Sequence, residues 1–252
     1  MCERYAQDRG VKSQIEGKNP VLEALHSDRT IEKIFIANGN RDKKSREIIK
    51  NAKNKNITVQ EIDRKRLEGL AKTSAHQGIV AIVTPYRYAD IRDILTLAQS
   101  SGESPFILIL DHISDPHNFG AIIRTAEACG VHGIIIPNRR AVDVTPVVAK
   151  ASAGAVEHML IAKVANIANI IDRLKEMGLW IAGASMEGIV YTEHDFKGPL
   201  GIVIGSEGEG IARLVKEKCD FLLSIPMKGQ IKSLNASVAA SVLMYEAVRQ
   251  RG

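Results

Sequence analysis

The stretch FILILDHISDPHNFGAIIRTAEACG, residues 106–130, decides the reading of this chain. It opens with five apolar residues, Phe106–Leu110, the pattern of a short buried strand. It closes with a helical pattern, FGAIIRTAEAC, and Gly130 stands where a helix-ending glycine is expected. Between them lies a polar turn holding Asp111, His112, Asp115, Pro116, His117 and Asn118. Arg124 sits one to two turns into the helix. A strand, a polar turn and a helix in that order form the unit from which parallel α/β sheets are built.

The flanking sequence repeats that alternation. Apolar strand runs recur at GIIIP (133–137), HMLIAKV (158–164), LWIAGA (179–184), LGIVIG (200–205) and FLLSIP (221–226). Helical runs fall between or after them at PVVAKASAG, IANIIDRLKEM, GIARLVKEKC and LNASVAASVLMYEAVRQR. Wholly apolar short strands separated by helices predict a parallel sheet buried on both faces. In such sheets the ligand lies beyond the carboxyl ends of the strands. The turns after residues 110, 205 and 226 are therefore the candidate site.

The second of these turns reads GSEGEGI, with glycines at 205, 208 and 210. The order is neither the dinucleotide G-x-G-x-x-G nor a P-loop. Glu207 and Glu209 would repel a phosphate, so a nucleoside without phosphates, particularly a cationic one, suits the turn better. The third turn, SIPMKGQIKSLNASVAAS, bends at Pro226 and Gly229 before Asn235 opens a helix with small residues at Ala236, Ala239, Ala240 and Ser241. Asn118 and Asn235 have a purely structural reading as helix caps. Arg124 could be an ordinary surface arginine, and the small residues could serve ordinary helix packing. Position changes the balance, because all three polar turns follow strands of one sheet.

The chain has 252 residues, 45% hydrophobic and 25% charged, with a net charge of +5. That is globular composition with room for one large domain or two modest ones. Its pI near 9.1 admits nucleic acid as a partner. No apolar run approaches the roughly 18 residues of a membrane helix, and the charged start does not read as a signal peptide. Cys2, Cys129 and Cys219 match no metal or disulfide spacing, and His112 and His117 are poor metal ligands by spacing. Reduced thiols and a cytoplasmic location follow. Lys and Arg crowd residues 38–72, framed by strand runs at IEKIFIA, NITVQEI and GIVAIVTPY and by helical runs at NPVLEALHS and KKSREIIKNAKNK. This predicts a small amino-terminal α/β unit ending near Tyr86. The Ser-, Gly- and Pro-bearing stretch AQSSGESPF reads as a connection.

DPHNFGAIIRTAEACG, GIVIGSEGEGI and IPMKGQIKSLNASVAASVLMYEA resemble, in order, the three motifs of the SpoU (TrmH) family of RNA ribose 2′-O-methyltransferases. IEGKNPVLEAL and SAHQGIVAIVTPY resemble the ends of that family's ribosomal-protein-like RNA-binding domain. The match is best to its bacterial 23S rRNA guanosine methyltransferases. The resemblance implies an α/β, SPOUT-type parallel sheet with a carboxyl-terminal deep trefoil knot and a small amino-terminal α/β domain. Its divisions would be residues 12–86 for RNA binding, a linker at 87–104, and a methyltransferase domain at 105–252. It implies S-adenosylmethionine as cofactor, RNA as partner, and a homodimer formed through the carboxyl-terminal domain, with neither metal nor membrane involved. The amino-terminal domain favours 23S rRNA; the alternatives are the same chemistry on tRNA and a non-catalytic RNA-binding or ribosome-assembly protein. Gly205, Ile225 and Leu234 would hold the methyl donor, with Ala184, Glu207, Pro226 and Met227 lining its pocket. Asn118, Arg124, Glu207 and Asn235 match the family's polar site positions. Arg124 is expected to stabilise a developing alkoxide, since a guanidinium hardly gives up its proton. Glu207 is expected to orient Arg124. The basic residues Lys43, Lys44, Arg46, Lys50, Lys53 and Lys55 would meet RNA phosphates, although a charge run is commonly a solvated face.

Overall fold

The computed structural model describes residues 13–231 and 233–252. The chain forms two compact units, one of residues up to Arg87 together with Val144–His158, the other of Tyr88–Asp143 with Met159–Gly252.

The first unit carries β1 (Ser13–Glu16), α1 (Lys18–His26), β2 (Ile31–Ala37), α2 (Lys43–Asn54), β3 (Thr58–Ile62), α3 (Arg64–Leu70) and β4 (Ile79–Val83). Its sheet runs β1-β4-β2-β3, with β2 and β3 parallel and the other pairs antiparallel. Helix α2 buries Ser45, Ile48 and Ala52, three positions on one stripe, and turns its lysines to solvent. Asp42 caps it, accepting from the amides of Lys44 and Ser45. The distant segment that joins this unit holds α6 (Pro146–Ala151). Arg29 and Glu157 fasten it through a buried ion pair of 2.5 Å, and Lys150 donates to the carbonyl of Ala75 at 2.7 Å. Breaking one side of such a pair leaves a buried charge alone, at a cost of about 3–5 kcal/mol.

The second unit carries α4 (Ile91–Ser101), β5 (Phe106–Asp111), α5 (Pro116–Ala128), β6 (Gly133–Pro137), β7 (Ile161–Val164), α7 (Ile167–Glu176), β8 (Trp180–Val190), β9 (Leu200–Gly205), α8 (Arg213–Lys218), β10 (Phe221–Ser224) and α9 (Ala236–Arg251). Six strands form a wholly parallel sheet, ordered β10-β8-β9-β5-β6-β7. The strand pattern predicts a parallel sheet and the resemblance predicts its SPOUT type; the observed sheet agrees with both. Every residue of β5 is buried. Ile167, Ile170, Ile171 and Leu174 of α7 pack into the same core as Ile107, Ile135 and Val203.

After β10, on one edge, the chain returns to the middle of the sheet, where α9 packs on α5 and β9. That path fits the knotted carboxyl-terminal crossing the resemblance implies. It also gives several small residues of α9 a place. Ala236 and Ala240 are buried, and Ser241 Oγ lies 3.2 Å from Thr125 Oγ1 of α5. Ala236, Ala240 and Ser241 thus take part in packing within the chain.

The stretch read as a connection is different in kind. Residues 91–101 form α4, opened by Asp90 and Asp93 in a reciprocal capping box and closed by Gly102 in the left-handed region. Its Ile94 lies in the core, directly over Gly133, where a Cβ would come within 2.5 Å of it. Of the polar residues that suggested a linker, residues 99–101 form the helix's exposed end, and residues 102–105 are the short connection to β5. Among the described residues no helix is long and apolar enough to cross a membrane.

Candidate active site

Strand β5 delivers Asp111, fully buried, to the head of the first turn. Helix α5 then begins three residues earlier than the apolar pattern suggests, at Pro116, with Asp115 as its cap. Asp115 Oδ1 accepts from the Asn118 amide at 2.7 Å. The capping role considered for Asn118 therefore falls to Asp115, whose proline successor fits a first helical position. The Asn118 side chain is free for other partners.

Those partners come from the other two turns. Asn118 Nδ2 donates to Glu207 Oε1 at 2.8 Å. Asn235 Nδ2 donates to Asn118 Oδ1 at 2.9 Å and also to Glu207 Oε1. Asn235 does cap α9, its Oδ1 accepting from the amides of Ser237 and Val238 and from the Ser237 hydroxyl. Asn235 thus caps α9 with its oxygen and contacts the other two turns with its nitrogen. Two amides and one carboxylate, distant in sequence, close a network at the carboxyl edge of the sheet. Glu207 Oε2 has no hydrogen-bond partner among the described residues.

The acidic loop is a small ring. Ser206 and Gly210 exchange both backbone hydrogen bonds, at 3.1 and 3.0 Å. Gly210 takes a φ of 68°, and a Cβ on Gly205 would lie 2.0 Å from the Gly210 carbonyl carbon. Only glycine permits that approach. The ring's exit is anchored by Asp111, whose Oδ2 accepts from the Ala212 amide at 2.7 Å while Oδ1 lies 2.5 Å from His112 Nδ1. Sequence reading placed Asp111 in the turn and gave it no task. The available signal was an acid ending a wholly apolar strand.

The residues expected around the methyl donor come together on adjacent strands. Ala184 lies in β8 between β9 and β10, Gly205 ends β9, and Ile225, Pro226 and Met227 follow β10 directly. Leu234 precedes the Asn235 cap. Ala184, Ile225 and Leu234 are half-buried, and Pro226 and Met227 are exposed. No peptide group among the described residues of the loop 225–234 bonds to another backbone group. Free peptide donors and acceptors, small apolar side chains and nearby carboxylates fit a neutral nucleoside carrying a sulfonium cation.

Arg124 stands apart. It is exposed and has no hydrogen bond or ion pair among the described residues. The expected contact with Glu207 is not formed, although Oε2 of that carboxylate is left open by the two asparagines, which both use Oε1. Geometry gives the reason: six residues along α5 put Arg124 about 9 Å further along the axis than Asn118 and about 120° around it.

A parallel sheet with three motif turns meeting beyond its carboxyl ends, taken with the family and structural matches, places the chain in the class of S-adenosylmethionine-dependent RNA methyltransferases of SPOUT type. Residues 105–245 match the SpoU rRNA Methylase family, and residues 14–89 match the RNA 2′-O ribose methyltransferase substrate-binding domain. The chain belongs to the SpoU methyltransferase family. It is 48% identical over 240 residues to a TrmH family tRNA/rRNA methyltransferase of Bacillus subtilis, covering 93% of this chain and 94% of that one. The AdoMet complex of the SpoU methyltransferase AviRb from Streptomyces viridochromogenes superposes with a TM-score of 0.81 at 25% identity, over 99% of this chain and 94% of that one. An AdoMet-bound rRNA methyltransferase from Sinorhizobium meliloti gives 0.79 at 26%, over 94% and 87%.

Proposed function

We propose that the chain methylates the ribose 2′-oxygen of a guanosine in 23S rRNA, in the cytoplasm, as a homodimer joined through its carboxyl-terminal unit. The observation that carries this reading is the Asn118–Glu207–Asn235 network, which joins all three motif turns at the edge where the donor-binding residues lie. S-adenosylmethionine supplies an already activated methyl group. The protein's part is to position the oxygen and to stabilise the charge it acquires. Gly205, Ile225 and Leu234 hold the donor mainly through peptide groups, with Ala184, Glu207, Pro226 and Met227 around it. The two asparagines fix Glu207 and the loops. Arg124 clamps the substrate and stabilises the forming alkoxide, a planar donor set suited to oxyanions.

Asn235, Glu207 and Arg124 are all exposed in the single chain. Such charges act most strongly where water is excluded, so RNA and a second subunit would complete the site. The position of Arg124 off the network's face fits a guanidinium that serves the second subunit's site.

The amino-terminal unit, with the exposed Lys43, Lys44, Arg46, Lys50, Lys53 and Lys55 on and just beyond α2, is the RNA-binding element. The Sinorhizobium neighbour, named as an rRNA methyltransferase, supports ribosomal RNA over tRNA. The test is label transfer from S-adenosylmethionine to 23S rRNA and to tRNA from cells lacking the protein, followed by mapping of 2′-O-methyl positions. Label at one 23S guanosine is expected; label confined to tRNA overturns the substrate.

A further inference from the structure

The first unit holds a cleft of about 340 Å³ lined by Gly39, Asn40, Arg41, Arg46, Ile49 and Glu61. It lies where β2 and β3, the unit's parallel pair, reach their carboxyl ends beside α2. That is the position at which parallel strands present ligand sites. Its size falls at the small end of the roughly 300–1,000 Å³ typical of ligand pockets.

The lining is chemically divided. Arg41 and Arg46 are exposed, and neither has an ion pair or hydrogen bond among the described residues. Asp42, next to Arg41 in sequence, is already engaged by Lys18 at 2.7 Å and by the Ser45 hydroxyl. The Lys18 hydrogen bond first, and Ser45 next, hold its carboxyl well below the usual range. Its Oδ1 also takes the Lys44 and Ser45 amides. The start of α2 is therefore self-capped, and the two guanidinium groups are left for an anion. Ile49, half-buried and one turn beyond Arg46, gives an apolar surface. Glu61 is exposed and likewise unpartnered among the described residues. Asn40 is occupied in holding the loop, donating to the carbonyl of Gln77 at 3.1 Å and accepting from Ser45.

We propose that this cleft reads one unstacked guanine of the RNA substrate. Arg41 and Arg46 take the flanking phosphates, Ile49 packs on the base, and Glu61 accepts from its Watson–Crick edge. A carboxylate only accepts hydrogen bonds. Guanine is the base whose edge offers two adjacent donors, N1–H and the N2 amino group, so both carboxylate oxygens can be used. Adenine, cytosine and uracil each set an acceptor beside their donor, which would face Glu61 like to like. Reading unstacked bases on that edge is the usual route to sequence selection in RNA. The inference rests on the RNA-methyltransferase reading and adds a site of base recognition outside the methyl-transfer machinery.

The test uses the full chain, isotope-labelled and titrated by NMR with guanosine 3′,5′-bisphosphate and its adenosine, cytidine and uridine counterparts. Amide shifts centred on Gly39, Asn40, Arg41 and Glu61 are expected, with the guanosine compound binding about tenfold more tightly. Glu61→Gln should remove that preference and keep phosphate-driven binding. Joint replacement of Arg41 and Arg46 with alanine should weaken all four. Equal affinities, or shifts that avoid these residues, would overturn the proposal. Donor binding and label transfer into rRNA, measured on the same wild-type sample as the nucleotide titrations, separate the two readings. A guanine preference without transfer to any RNA would leave the cleft standing and remove the proposed methylation target.

Discussion

Replacing Gly205 with alanine should disable the methyl-donor site while sparing the fold. The added Cβ would lie 2.0 Å from the Gly210 carbonyl carbon, 2.2 Å from its oxygen and 2.3 Å from the Ile211 nitrogen. All three are backbone atoms, so the far side of the Ser206–Gly210 ring must retreat by about 1 Å to reach even a tight contact. That movement breaks the two ring hydrogen bonds, each worth about 1 kcal/mol. Overpacking adds about 1–3 kcal/mol. A local loss near 3 kcal/mol corresponds to roughly a hundredfold weaker binding of the ordered loop to its ligand. Glu207 rides on this ring, so the contacts with Asn118 and Asn235 would be displaced with it. Isothermal titration with S-adenosylmethionine measures the effect, with thermal unfolding as the check on folding. Gly208→Ala is the control: it lies in the same loop, yet a Cβ there meets nothing within 4 Å. If Gly205→Ala binds the donor within threefold of wild type, or Gly208→Ala loses as much, the steric reasoning is wrong.

Arg124→Lys should cut turnover by about two orders of magnitude with donor affinity nearly unchanged, because a point ammonium cannot replace a planar fork; equal loss in a donor titration and in single-turnover rates would remove its assigned role. Mixing Arg124→Ala with Asn235→Ala chains should restore about a quarter of wild-type activity if Arg124 serves the partner's site in a two-fold dimer; no recovery above the separate variants would place both residues in one subunit's site. Glu16 is fully buried, and although burial raises its pKa, hydrogen bonds from the Thr73 hydroxyl and amide, the Lys72 amide and Gln14 outweigh that and lower it. A depressed folded pKa contributes stability above the unfolded value, so in urea titrations the advantage of wild type over Glu16→Gln should shrink as pH falls below about 4.3; a pH-independent difference would refute this. Burial pushes the thiols of Cys129 and Cys219 up to about 11, with the Asp220 charge adding to the effect at Cys219. In a Cys2→Ser variant, disulfide-exchange reagents at pH 8 should therefore modify the native protein at least about a hundredfold more slowly than the unfolded chain; rapid native labelling would show the sites to be open.

Much of the second unit could be read directly from the chain. Short wholly apolar runs such as FILIL and LGIVIG, bounded by polar turns, read as strands buried on both faces, and helices between them favour a parallel sheet. That placed three polar turns at one edge, and the network of Asn118, Glu207 and Asn235 lies there. Local pattern misplaced what depends on tertiary contacts. The stretch AQSSGESPF looked like a connection because its polar residues follow a short amphipathic run; α4 is a helix since Ile94 finds a core position over Gly133. Residues 144–158 carry an ordinary helical pattern, and contacts made across long stretches of chain, such as Arg29 with Glu157, 128 positions apart, and Lys150 with the Ala75 carbonyl, attach them to the first unit. Asn118 looked like a helix cap until Asp115 was seen to hold that place. Asp111, silent in sequence, holds the acidic loop by accepting from Ala212, 101 residues away. The sequence by itself determined the strands, the helices and the edge at which chemistry gathers, because hydrophobic periodicity is a local property. Which side chain meets which, and that Glu207 meets two asparagines and not Arg124, was decided by the tertiary structure, since hydrogen-bond partners are chosen by the path of the whole chain.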